Sequence, residues 1–163
     1  MKKIFVFIAV LTVICALFGC QKKTDYRDDL SCSEILDEAQ KQLPVDMGYK
    51  SLGGEHIKYN FDNTELDDDH SFLSSVASEN INEMGIFHAP DESAKKELLS
   101  LTEKYLKNNL DENEAFIASY APEELEKLKK AEVRDFGNYV AYAILSKDDR
   151  ALFFDTVEKL LAK

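Results

Sequence analysis

The chain has 163 residues, with 31 acidic side chains against 20 basic ones and a net charge of −11. That length supports one domain with a real core, and not comfortably two. The acidity excludes a nucleic-acid partner and adhesion to anionic headgroups, since both need a basic face, but it fits solubility, cation attraction or a basic partner equally well.

Met1-Lys2-Lys3 is a cationic start, and Ile4 to Leu17 is apolar apart from Thr12, the two parts of a secretory signal. About 14 residues rising 1.5 Å each cannot span a ~30 Å hydrocarbon core, so the run reads as an address rather than a membrane span. Leu17-Phe18-Gly19-Cys20 resembles a bacterial lipobox. The resemblance implies that the Cys20 thiol is diacylated and the chain then cut before it. Two acyl chains anchor stably where one binds only marginally. A plain signal peptide with an accidental cysteine is the alternative. The expected organisation is a lipoprotein signal at 1–19, a lipidated Cys20 with a short tether at 20–30, and one globular domain at 31–163.

Loss of residues 1–19 removes two lysines and no acid, leaving 144 residues with a net charge of −13. Cys15 leaves with the signal and Cys20 takes lipid, so Cys32 has no intramolecular partner and no disulfide framework is expected. Gln21 to Leu30 is a polar tether of ten residues, reaching at most about 35 Å.

Ser31-x-x-Glu34 is a capping box, and Leu30 and Ile35 hold the positions of a hydrophobic staple. Cys32, Ile35, Leu36, Ala39 and Leu43 then share one helical face, and Pro44 ends it. On that stripe Cys32 reads as a small buried hydrophobe rather than a nucleophile. Val45 to Ser71 has poor periodicity and glycine punctuation, which predicts a long loop with room for a turn of helix. Phe72–Ser78 and Glu83–Ala89 read as a hairpin. Asp91 caps a long helix with Ala94, Leu98, Leu101, Thr102 and Tyr105 inward, continuing through Phe116 and Ile117 toward Tyr120. Pro122 starts a separate helical turn carrying Leu125 and Leu128.

Two strands flank Phe136-Gly137-Asn138, where Gly137 supplies a positive φ. Tyr139–Leu145 is apolar on both alternating faces and suits a central strand. Asp148 caps a last helix with Phe153, Val157, Leu160 and Leu161 inward. The expected fold is α+β: an N-terminal helix, then two strand-strand-helix units forming a four-stranded antiparallel sheet with helices on one face. Tyr120 is expected to pack against that sheet.

"EMGIFHA" before an acid-capped helix, followed by "SYAPEELEKLKKAEVRDFGNYVAYAIL" and a final helix, resembles a family of small lipoproteins from Gram-positive anaerobes known only as a domain of unknown function. The resemblance covers roughly residues 31–163. Its most specific pieces are Tyr120-x-Pro122 and the Gly137-Asn138-Tyr139-Val140 turn. It implies no activity and no catalytic residue.

No G-x-S-x-G elbow, H-E-x-x-H pair, C-x-x-C, phosphate-binding glycine loop or S-x-x-K is present. The acidic stretch Asp62, Asn63, Glu65, Asp67, Asp68, Asp69, His70 has the oxygen ligands for a weak calcium site but not the spacing of an EF-hand, and a solvated acidic loop is the expectation. His56, His70 and His88 lack helical zinc spacing. No metal or other cofactor is expected. The functional expectation is a lipid-anchored, extracytoplasmic, non-catalytic binding or accessory module. It meets the membrane through Cys20 and takes an envelope protein or a small ligand. The alternative is an envelope hydrolase using a carboxylate or a Cys32–His site.

Overall fold

The computed structural model describes residues 25–44, 48–61, 69–77 and 80–163. The leader, Cys20 and residues 62–68 of the acidic stretch lie outside the described residues. No helix among the described residues is long and apolar enough to cross a membrane.

Helix α1, Cys32–Gln42, starts as its capping box dictates. Ser31 Oγ accepts from Glu34 N–H, while Glu34 Oε2 accepts from Ser31 N–H at 3.0 Å. Strand β1 (Tyr49–Ser51) and helix α2 (Gly54–Asn60) follow. Helix α2 occupies the stretch where a turn of helix had room, and β1 corrects the loop expected before it. Three strand residues, only one of them aromatic, are too few to show period-two patterning.

Strand β2 is His70–Ser75 and β3 is Glu83–His88. Helix α3 runs for 29 residues, Glu92–Tyr120, with Asp91 Oδ1 accepting from the N–H groups of Ser93 and Ala94. A short helix α4 (Leu125–Lys129) leads to β4 (Glu132–Phe136) and β5 (Tyr139–Ile144), joined through Gly137 at φ +65°. Helix α5, Lys147–Leu161, is capped by Ser146, whose Oγ accepts from Asp149 N–H. The cap is thus two residues earlier than the expected Asp148, because the serine side chain reaches the third amide of the helix.

The sheet has five strands rather than four, in the order β1-β2-β3-β5-β4 with every neighbour antiparallel. Both strand-strand-helix units exist, β2-β3-α3 and β4-β5-α5, but their helices cover opposite faces. This corrects the expected one-sided cover. Met84, Ile86, Tyr139, Ala141 and Ala143 pack against α1 and α5. Phe72, Phe87, Val140, Tyr142 and Ile144 pack beneath α2, α3 and α4. All six residues of β5 are buried, as a strand with a layer on each face requires.

The amino-terminal segment is docked along the carboxyl end of the chain. Tyr26 forms an antiparallel bridge with Ala162, Arg27 N–H donates to Leu161 O at 2.8 Å, and Lys163 N–H donates to Asp25 O at 3.0 Å. The Asp28 carboxylate joins His88 at 2.7 Å and Asn138 at 2.9 Å, and Tyr139 Oη donates to Leu30 O at 2.6 Å. These contacts place Asp25–Leu30 at the end of the sheet where β3 finishes and β5 begins.

Candidate functional site

At the other end of the sheet, beneath α3, a polar network interrupts the core. Glu83 opens β3 on the same face as Gly85 and Phe87, whose cross-strand partners are Tyr142 and Val140. Its Oε1 accepts from Tyr142 Oη at 2.6 Å and from Tyr105 Oη at 2.7 Å. His56 Nε2 lies 3.6 Å from the same oxygen and 3.4 Å from Tyr142 Oη, and Asn60 Nδ2 meets His56 Nδ1 at 3.0 Å. With Asn60 donating to Nδ1, the neutral ring carries its proton on Nε2, facing Tyr142 and Glu83.

On α3 the network continues outward at helical spacing. Asn109 Nδ2 donates to Tyr105 Oη at 3.3 Å, and Asn113 Nδ2 donates to Asn109 O at 2.9 Å and to Asn109 Oδ1 at 3.0 Å. Thr102, Tyr105, Asn109 and Asn113 lie on one stripe, so the sheet-facing side of α3 changes from apolar to amide as it passes over Glu83.

Gly85 makes this arrangement possible. It is the direct cross-strand neighbour of Phe72 on one side and Tyr142 on the other, and a Cβ there would fall on ring carbons of both. Without that carbon, Tyr142 and Phe72 lean together over the strand with ring centroids 6.2 Å apart.

Burial, with the charge of Glu83 adding to it, pushes the Tyr105 and Tyr142 phenols up from their ordinary value, so both remain donors. His56 is pushed below its ordinary value by burial, against the opposing pull of Glu83. The result is a fixed carboxylate held by neutral donors.

A cleft of about 330 Å³ opens beside Glu83. Its polar wall carries Ser74, Asn82, Glu83, Asn109 and Asn113, and its apolar wall includes Ile117, Leu128 and Ile144. Phe116 stands at its margin, 62% exposed, stacked on Tyr120 at a centroid distance of 4.6 Å. Tyr120 is 78% exposed, which corrects the expectation that it packs on the sheet. It lies in the last turn of α3, with its ring on Phe116 rather than on the strands.

Behind the cleft-lining Ile81 and Asn82 lies a largely buried ion pair. Lys127 Nζ lies 2.7 Å from Glu124 and donates to Asn82 Oδ1 at 2.9 Å, while Glu124 Oε2 accepts from Ile81 N–H at 3.1 Å. Asn82 Nδ2 reaches Tyr49 Oη at 3.3 Å. The connector into β3, helix α4 and strand β1 are thereby held together.

The structure places the sequence candidates elsewhere, with one exception. Cys32 is fully buried: its N–H donates to Asp69 Oδ1 at 3.0 Å and its Sγ donates to Asp69 O at 3.3 Å. Asp69, from the acidic stretch, therefore caps α1. His70 tilts against Phe72, and His88 serves the amino-terminal segment. Among the described residues no group of three His, Cys, Asp or Glu side chains could hold a metal. His56 alone joins the network. Glu83, Tyr142, Asn109 and Asn113 were not singled out by sequence; the available signals were one acid at the head of an apolar strand and two asparagines on an inward helical stripe.

A family model described as a domain of unknown function, DUF4358, matches residues 44–145. That interval contains all five strands, α2–α4 and the whole cleft, while α1 and α5, which cover the opposite face, lie outside it. No curated protein and no solved structure matches the chain.

Proposed function

The chain belongs to the DUF4358 family of unknown function, and from that premise we propose that it is a lipid-anchored, extracytoplasmic binding or accessory module of the cell envelope. The lipoprotein character and the Gram-positive setting are part of the same proposal, as is the attachment through Cys20. The observation that carries it is the polarity of the fold. The amino-terminal segment that follows Cys20 is docked where β3 ends and β5 begins, whereas the cleft opens where β3 begins and β5 ends. Six strand residues separate the two ends by about 17 Å. Because Asp25–Leu30 is held on the domain, only Gln21–Thr24 remains to span the gap to the lipid, about 14 Å at full extension. Such a short leash keeps the docked end toward the bilayer and turns the cleft away from it.

A Phe116→Cys substitution tests this arrangement. In intact cells a membrane-impermeant maleimide should label the introduced thiol, since Phe116 is exposed and Cys32 is buried. Labelling only after lysis would place the cleft inside the cell and overturn the proposal. The second reading, an envelope hydrolase, is favoured by one observation: a histidine and a carboxylate, His56 and Glu83, stand 3.6 Å apart near an open cleft. Turnover of an envelope polymer by the purified chain, lost in Glu83→Gln, would reverse the ranking.

A further inference from the structure

Resting on the binding-module reading, we infer that the cleft between α3 and the sheet binds a neutral saccharide, with Asn113 and Glu83 bonding its hydroxyls and Phe116 covering one face of its ring.

Three features select this class. First, the wall offers unused acceptor oxygens, beside the Ser74 and Ser75 hydroxyls, which can donate. Among the described residues, Glu83 Oε2 and Asn113 Oδ1 accept no protein hydrogen bond: the contacts of Glu83 converge on Oε1, and Asn113 uses only its Nδ2. No buried side-chain oxygen or nitrogen among those residues lacks a partner, so both oxygens reach solvent. A vicinal diol, each of whose hydroxyls donates and accepts, matches such a wall of carboxylate, amide and serine groups. Second, among the described residues no Lys, Arg or His lines the cleft, and Glu83 repels anions, so a phosphate or carboxylate ligand finds no cation there to pair with. Third, the exposed Phe116–Tyr120 stack supplies a flat apolar platform beside the polar wall, which suits the C–H face of a pyranose ring. The volume, about 330 Å³, sits at the small end for ligand pockets.

The test is saturation-transfer NMR and calorimetry on the full chain in phosphocholine micelles, which carry no sugar headgroup. The probes are tri-N-acetylchitotriose, maltotriose and a trilysine peptide. At least one oligosaccharide should bind, with affinity reduced about tenfold or more in Phe116→Ala and in Asn113→Ala, and unchanged in Tyr59→Ala, which removes an exposed ring outside the cleft. Phe116 is exposed, so its removal leaves the fold intact. Absence of binding by both sugars, binding indifferent to Phe116→Ala, or binding of trilysine alone would each overturn the inference. If Phe116→Cys is still labelled in intact cells, such a result removes the saccharide and leaves the extracytoplasmic module standing; failure of that labelling removes the module itself.

Discussion

Tyr142 donates its hydroxyl to Glu83 at 2.6 Å by leaning over Gly85, the residue directly opposite it on β3. One missing carbon therefore sets the geometry of a network that runs from Asn60 on α2 to Asn113 on α3.

Gly85→Ala should destabilise the fold by about 2 kcal/mol, within the range for overpacking a filled core. The added carbon meets two buried rings that are themselves packed against Phe87 and Tyr105, so neither can swing away. Urea unfolding at neutral pH measures it. A midpoint unchanged from the wild type would mean that the rings can move aside.

Tyr142→Phe should cost about 2 kcal/mol, because it deletes one of two donors to a carboxylate at a part-buried site. The same urea series gives the value. Tyr120→Phe, at an exposed position, should change nothing measurable.

His56 makes stability depend on pH. Its pKa is lowered in the folded state, so in the window below about 6.5 the unfolded chain binds more protons than the folded one. Its contribution is fully present above about 6.5 and is lost as pH falls through the lower, folded value. Between pH 7.5 and 5.5 the unfolding midpoint should drop more in the wild type than in His56→Gln. Equal drops would show that the ring is solvated.

Lys127→Met should destabilise by about 3 kcal/mol, the low end for breaking a buried pair, since it leaves Glu124 facing an apolar side chain. The double substitution Glu124→Gln with Lys127→Met should recover part of that loss. A double mutant no better than the single would show that the two side chains act independently.

Much of this architecture is legible in the chain. Ser31 and Glu34 announce α1, Asp91 announces α3, and Gly137 announces the β4–β5 turn, because each satisfies local backbone groups within a few residues. The burial of β5 is legible too, and a strand apolar on both faces demands a layer on each side, which a one-sided sheet cannot provide. Strand β1 escaped because its pairing with β2 is decided by tertiary contact, not by its three residues. The site was the least legible part. Glu83 and Tyr142 meet only because β5 inserts beside β3, and no local pattern encodes that pairing over 59 positions.

The proposed membrane attachment depends on one sulfur, that of Cys20. Intact-mass spectrometry of the protein extracted from membranes, beside its Cys20→Ala variant, tests it. The expected wild-type product begins at Cys20 with added diacylglycerol mass, and the expected variant keeps residues 1–19 and gains no lipid. A wild-type chain that retains Met1 and carries no lipid would contradict the proposed attachment.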